Sequence, residues 1–574
     1  MLSRRRRGMM AVGVRLAAAM MSAAVLMQVN VATTAHRPVV IGMNGMVASN
    51  NPLASEVGMT ILKQGGNAFD AAVATAAAVG VAEPVYSGPG GEGFLLIYVA
   101  EQKQVRALNS IGRAPYAAKT DMFTRDNMGM GPLSSIVPGT FDSWIELLKE
   151  YGTMSLGQVL QPSIEYLERG VPQYPFNRRI MLQGEESMRL SPDKTRIYLA
   201  KGRVPEVGEI YSNTDLAKTY RTIVAAEEKA RSLGRRKAIE AARDVFYKGE
   251  IAEAIVKYYE KVGGLITAKD LADYKAEWME PISTMYRGYN VYTMPPNSSA
   301  IAYLEQMNIM EGFDVRALGH NSTQYVHLFA ESIKLSRADR WDYVADPAFV
   351  SIPTEDLLSN EHTSKQRARI NPDKASDFEH ISAVKSLGQE DTTHLTVADR
   401  HGNLVSLTQS GGGLGRAEIP EGLGFWISSG MSWFDLETDT INRIEGGKRA
   451  RWNMSPTIVM KDGEPFLAIG TPGGQGIWQT VPQALMNIID FDMNIQEAIE
   501  APRFVDTPGG SELRMEGRIP VEVRELLSDR GHEIEVLDDY TNIVGGMNGI
   551  MIHPESNALM GGADPRRDGY AIGW

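Results

Sequence analysis

The residues with the clearest chemical potential stand at the start of one strand-like stretch. Asp391-Thr392-Thr393-His394-Leu395-Thr396-Val397-Ala398-Asp399 alternates like a strand, turns at Arg400-His401-Gly402-Asn403 and returns over residues 404–408. A threonine hydroxyl is a poor nucleophile at neutral pH and needs an adjacent base. A free N-terminal amine, with a pKa of about 8, can be that base on the same residue. Making such an amine at Thr392 requires a cut between Asp391 and Thr392. Read locally, Thr392 is first of all an ordinary β-branched strand residue, because strands are rich in threonine.

What the chain lacks narrows the chemistry further. It has no cysteine, which excludes disulfides, thiolate metal sites and cysteine nucleophiles. There is no G-x-S-x-G elbow and no H-E-x-x-H pair. The nine histidines are scattered without metal-ligand spacing. Ser87-Gly88-Pro89-Gly90-Gly91-Glu92-Gly93 is glycine-rich but is not followed by Gly-Lys-Ser/Thr, so it reads as a tight turn with close backbone packing. Gly411-Gly412-Gly413-Leu414-Gly415 lacks the spacing of a dinucleotide fingerprint. A metallohydrolase, an ordinary serine hydrolase and a nicotinamide enzyme are disfavoured, and neither cofactor nor metal is expected.

Several elements must position the residues around 392. A strand-like entry covers residues 36–50, and a helix over 53–64 is stopped by Gly65-Gly66. A second helix begins at about Asn67. Its Ala71, Ala72, Ala74, Ala76, Ala77 and Ala78 allow close approach of neighbours and predict burial; Glu83-Pro84 ends it. An apolar strand follows at 94–99. Residues 138–260 read as largely helical, Thr267 to Asp270 as a capping-box variant, and 286–294 as one strand stopped by Pro295-Pro296. Residues 351–390 are polar and read as irregular and exposed, a suitable place for a chain break. Strands at 457–460 and 466–469 and helices at 479–489 and 495–501 complete a pattern of layered α/β sheets without internal repeats.

Composition sets outer limits. The 574 residues are 43% hydrophobic and 22% charged, ordinary for a globular chain with a sizeable core. The formal net charge is −12. The first 35 residues hold five arginines and no lysine or acid, so their removal would leave −17. Such an acidic body argues against nucleic acid or an anionic membrane as partner. Arg4, Arg5, Arg6 and Arg7 precede a mostly apolar stretch over 8–28, interrupted by Arg15, and small residues follow with Ala32 or Ala35 before a cleavage point. Residues 1–35 therefore read as a signal peptide with a hint of a twin-arginine signal, the alternative being an anchor that is never removed. No later apolar run is long enough to span a bilayer. A periplasmic or secreted protein, with no stable membrane insertion after signal removal, is the expectation.

The stretch from Asp391 to Asp399, with Gly402-Asn403, resembles the processing site of the gamma-glutamyltransferase (glutathione hydrolase) family of N-terminal nucleophile hydrolases. The resemblance extends along the chain. Gly65-Gly66-Asn67-Ala68-x-Asp70-Ala71-Ala72-Val73-Ala74, Glu83-Pro84 and Gly93-Phe94 are similar to the family's N-terminal signature. Pro138-Gly139-Thr140, Gly263-Gly264-Leu265-Ile266-Thr267, Met294-Pro295-Pro296, Met454-Ser455-Pro456-Thr457, Ala501-Pro502-Arg503-Phe504 and Asp564-Pro565-Arg566 follow in the family's order. The resemblance implies a four-layer αββα sandwich, an α/β (α+β) fold. It implies self-cleavage into a large piece, residues 36–391, and a small catalytic piece, residues 392–574, that stay together as a heterodimer. It makes Thr392 the nucleophile, Ser410 a second hydroxyl near it, and Gly473-Gly474 the oxyanion hole.

The departures cluster where the family binds the γ-glutamyl head group. The arginine that pairs with the substrate α-carboxylate falls on Ile111, with Arg113 displaced by two residues. The paired serines fall on Trp452 and Asn453, and the α-amino contacts on Gly411, Gly430 and Trp433. The linker between Ser429 and Met454 is shorter than in typical transferases, which implies no lid. A buried carboxylate without its partner costs several kcal/mol. Arg113, Lys448 and Asn453 remain as residues able to rebuild a substrate site. The expected function is a self-processing amidohydrolase or acyltransferase acting on a small-molecule amide or peptide, γ-glutamyl or related. The alternatives are an acylase for a non-glutamyl amide, or a secreted binding protein on a catalytically retired scaffold.

Overall fold

Alternation along the strands builds two sheets back to back. The computed structural model describes residues 35–378, 392–507 and 512–574. Asp391 and the signal segment, apart from its last residue, lie outside the described residues. In chain order the strands of the two main sheets are β1 (Val40–Gly42), β2 (Gly45–Ser49), β3 (Glu92–Val99), β4 (Gln104–Asn109), β5 (Glu277–Met279), β6 (Ile282–Tyr286), β7 (Tyr289–Thr293), β8 (Thr392–Asp399), β9 (Leu404–Ser410), β10 (Thr457–Lys461), β11 (Glu464–Gly470), β12 (Asn548–Ile552), β13 (Leu559–Ala563) and β14 (Tyr570–Gly573). One seven-stranded sheet has the order β14-β2-β8-β9-β3-β4-β5, the other β1-β13-β12-β11-β10-β7-β6. Every pairing within them is antiparallel.

Strand β3 shows why the sheets stack. Successive side chains point to opposite faces. Phe94, Leu96 and Tyr98 join the core between the two sheets, with Met46, Ile458, Ala468 and Ile550. Leu95, Ile97 and Val99 point the other way, into a core shared with helices α1 (Pro52–Lys63) and α2 (Ala68–Ala82). The outer face of the second sheet packs Val459, Leu467 and Ile469 against helices α3 (Ala300–Met310), α4 (Thr323–Tyr343) and α5 (Ile477–Ile489). Three apolar interfaces thus separate four layers, αββα, as the family resemblance implies.

Every residue of α2 is buried, as its alanines predict. Asn67 caps it, and Asp70 completes a capping box while also accepting from Thr153 N (2.9 Å), Thr153 Oγ1 (2.7 Å) and Met154 N (3.0 Å). Asp399, at the far end of β8 from Thr392, accepts from Ala68 N at 2.9 Å. Asn403 Oδ1 accepts from Ala100 N at 3.0 Å. The Gly-Gly-Asn-Ala-x-Asp signature and the Asp399–Asn403 turn therefore anchor a helix to a sheet end. The Thr267–Asp270 capping box also forms.

The strand read over 286–294 is instead the second half of a hairpin. β6 and β7 meet at Arg287-Gly288, where φ is +50° and +83°. Positive φ at both central turn residues matches the right-handed twist of the flanking strands, and alternation alone does not register the turn. Residues 351–378 are also less irregular than read. Helices Thr354–Leu357 and Asn360–Arg369 form there, the second capped by Ser359 and held by Arg367 donating to Ile309 O at 2.8 Å and Asn308 O at 2.6 Å.

The two sheets mix early and late parts of the chain. β8, β9 and β14 share one sheet with four strands from before residue 391, and β10 to β13 share the other with β1, β6 and β7. Residues 37–574 form one compact unit.

Candidate active site

The register of β8, β9 and β3 lines up three polar side chains. Thr392 pairs with Ser410, and Ser410 with Glu92. Directly opposed residues put their side chains on the same face. Thr392 Oγ1 donates to Ser410 Oγ at 3.2 Å, and both residues are buried. Glu92 Oε1 accepts from Ser428 Oγ at 2.6 Å, and its other oxygen has no hydrogen-bond partner among the described residues. Burial pushes the Glu92 carboxyl up to about 8.

The face that carries Thr392 is polar although it lies between two sheets. His394 Nδ1 meets Thr408 Oγ1 at 2.8 Å and its Nε2 meets Thr396 Oγ1 at 3.1 Å. Ser406 Oγ donates to Ile469 O at 3.0 Å. Burial holds the His394 imidazole down at about 3, so it is neutral at physiological pH. The opposite face has its own set: Thr393 Oγ1 accepts from Asn50 Nδ2 and donates to Glu83 Oε2, each at 3.2 Å. Burial raises Glu83 to about 7, against the lowering pull of the Arg567 charge.

The glycine pair follows β11. Gly470, the last residue of β11, packs against the His394 ring. Its chain continues through Thr471 and Pro472 to Gly473 and Gly474, at φ +131° and +54°, beside the N-terminus of α5. These conformations suit glycine alone or nearly so. Gly473 packs against Gly545, where an added Cβ would be 3.0 Å from the Gly545 Cα. The glycine-rich turn before β3 is also crowded: a Cβ on Gly90 would stand 2.0 Å from Trp426 O, and one on Gly91 2.3 Å from Ser410 O.

The residues read as substrate contacts are drawn into protein contacts. Arg113 donates to Glu277 Oε1 at 2.7 Å and Gly447 O at 2.8 Å. Asn453 Oδ1 accepts from Arg340 Nη2 at 2.6 Å and Ser299 Oγ at 3.1 Å, leaving its Nδ2 without a partner among the described residues. Lys448 donates to Ile441 O at 2.7 Å and Glu445 Oε1 at 3.0 Å. Trp452 lies against Trp433 with ring centroids 4.6 Å apart, and Trp426 fills the space beside Gly411. Ile111 is fully buried. A cavity of about 620 Å³ is walled by Val85, Tyr86, Met181, Met188, Leu414 and Arg416.

Sequence reasoning missed Arg567. Its Nη1 donates to Thr392 O at 2.7 Å, and its guanidinium lies over the rings of Tyr86 and Phe176, 4.9 and 4.8 Å from their centroids. The only signal was its place immediately after Asp564-Pro565-Arg566. That motif itself is structural: buried Asp564 accepts from Arg503, from Arg566 N (3.0 Å) and Nη1 (3.1 Å), and from Met547 N (2.9 Å).

Known proteins share this arrangement of the chain. The family model described as gamma-glutamyltranspeptidase matches residues 54–574. The glutathione hydrolase-like YwrD proenzyme of Bacillus subtilis (strain 168) is 35% identical over 544 residues, covering 93% of this chain and 99% of that one. The acylase ACY 1 proenzyme of Pseudomonas sp. (strain SE83) is 37% identical over 548 residues, covering 92% and 94%. The crystal structure of cephalosporin acylase from Bacillus halodurans superposes with a TM-score of 0.84 at 33% identity, covering 94% of this chain and 97% of that one. Among the described residues no helix is long and apolar enough to cross a membrane. With the αββα sandwich, this shows that the chain belongs to the gamma-glutamyltranspeptidase family and is an enzyme of its N-terminal threonine hydrolase kind.

Proposed function

We propose that the chain cuts itself between Asp391 and Thr392 and that the freed Thr392 then cleaves amides through an acyl-enzyme. The observation that carries this reading is the Thr392–Ser410 hydroxyl pair, 3.2 Å apart at the very start of β8. The α-amine of Thr392 takes the proton from Oγ1 as that oxygen attacks the substrate carbonyl carbon. The oxyanion that forms is met by backbone N–H groups at Gly473-Gly474. The leaving amine takes the proton back from the ammonium, and water releases the acyl group in the reverse sense. Ser410 orients the hydroxyl. The proenzyme names of the relatives support a precursor that matures into two chains, residues 36–391 and 392–574. The basic and apolar segment over 1–35 supports export to the periplasm or beyond.

The acyl pocket is better suited to a group without the γ-glutamyl head. The tilted Trp433–Trp452 ring pair occupies positions where the family resemblance puts polar contacts, and Arg113 is committed to Glu277. Asn453 Nδ2 is the buried donor left to meet a substrate oxygen. This favours an acylase over a dedicated glutathione hydrolase.

On a denaturing gel the purified protein should run as two pieces of the expected sizes, and Thr392→Ala as one. A wild-type chain that stays whole and inactive would sink the proposal. Turnover of a γ-glutamyl anilide beside simple acyl anilides tests the pocket; a strong preference for the γ-glutamyl compound would overturn the acylase reading while leaving Thr392 in place.

A further inference from the structure

The nucleophile stands on a strand that outruns its neighbour. β8 pairs with β2 only from Leu395, opposite Ser49, to Asp399, opposite Gly45. Thr392, Thr393 and His394 extend past the end of that ladder, and backbone groups on this side need other partners. Side chains supply them. Asn548 Nδ2 donates to His394 O at 3.1 Å, and Arg567 Nη1 donates to Thr392 O at 2.7 Å. Two donors from the last part of the chain thus do for β8 what a longer β2 would have done.

The N–H and C=O of one residue in an antiparallel strand point to the same side. The nitrogen of Thr392, which becomes the α-amine after the cut, therefore lies on the side that carries Arg567. Resting on Thr392 as the nucleophile, we infer that Arg567 is a positioning residue that fixes the Thr392 backbone and, by its charge, keeps the new amine unprotonated and able to act as base.

The surroundings favour this role. Arg567 is buried, and its Nε and Nη2 have no hydrogen-bond partner among the described residues. The Tyr86 and Phe176 rings clamp the guanidinium. The other titratable groups on the elements around Thr392 are Glu83 at the end of α2, Asp568 beside Arg567, His394 on β8 and Glu92 on β3. Asp568 is held by Phe176 N at 3.0 Å. His394 is neutral, and both Glu83 and Glu92 keep their protons well above the ordinary carboxylate range. Burial also raises Asp568, the carboxylate beside Arg567, so its opposing charge weakens as pH falls, and the guanidinium is the charge in direct contact with the Thr392 backbone; a like charge disfavours an ammonium.

Arg567→Gln and Arg567→Lys separate charge from shape. The readouts are the extent of self-cutting, the melting temperature and, for the cut enzyme, the pH profile of kcat/KM on a reactive acyl anilide. In Arg567→Gln the acid limb should move up by about one unit or more, so that activity lost at pH 7 returns at pH 9. Arg567→Lys should keep the wild-type limb with a lower kcat. An unmoved limb in the Gln variant overturns the inference, whether activity is unchanged or falls equally at every pH. Should the Gln variant remain uncut, melting with the wild type counts for the positioning role, and melting lower overturns it. None of these failures touches Thr392, whose role stands or falls on Thr392→Ala.

Discussion

The imidazole of His394 lies where a side chain on Gly470 would have to be. A Cβ added to Gly470 would stand 2.3 Å from Cε1 of that ring and 2.6 Å from Nδ1. The contact ties β8 to β11 across the space between the sheets, two residues past Thr392 and three before Gly473. Gly470→Ala must displace the ring from Thr408 and Thr396, and overpacking of this kind costs about 1–3 kcal/mol. Urea melts should register that loss, and gels should show slower appearance of the two pieces.

Ser410 offers a cleaner perturbation. Removing its hydroxyl in Ser410→Ala takes away one neutral hydrogen bond to Thr392, worth about 0.5–1.5 kcal/mol. The expected result is a drop in kcat of about two- to tenfold with little change in KM, restored by Ser410→Thr. Steady-state kinetics on an acyl anilide measure it.

Glu92 should make stability fall as pH rises. Its folded-state pKa, about 8, is above the ordinary value of 4.5. Between those values the folded protein holds a proton that the unfolded chain has released, so the contribution of this group is greatest below 4.5 and is lost by about 8. Glu92→Gln removes the titration. The melting temperature of the variant relative to wild type should therefore rise from pH 5 to about pH 8 and then level off; a constant difference would contradict the assignment.

Asp564 is the anchor of a buried ionic group. It faces Arg503 and Arg566, and Arg566 also reaches Glu516, all of them buried. Removing one partner strands the others, at about 3–5 kcal/mol. Asp564→Ala should leave most of the protein in the insoluble fraction, whereas Arg514→Ala, at a half-exposed pair with Glu535, should change the melting temperature little.

Much of the layered fold is legible in the sequence because its signals are local. The alanine run of α2, its Asn67 cap and the alternation of β8 and β9 each state their own environment. The expectation at Asp391-Thr392 rests on the family resemblance alone, since a strand threonine is otherwise unremarkable. The β6–β7 hairpin was hidden because Arg287 adopts a positive φ that its residue type does not announce. Arg567 was hidden for a different reason: its contact with Thr392 depends on β2 ending at Ser49, a fact of register between segments more than 300 residues apart in sequence. That Trp433 and Trp452 replace polar residues of the family pattern was legible position by position, but the contact between their rings was not.

The mixing of early and late strands in both sheets has a consequence for the life of the molecule. An uncut chain folds as a single body, at a rate indifferent to concentration. Once the link before Thr392 is gone, neither piece has a complete sheet of its own, so recovery after unfolding becomes an encounter between two molecules and slows on dilution. Maturation would then work as a ratchet: the mature form owes its persistence to the height of its unfolding barrier, because the single-chain route by which it was built is closed behind it.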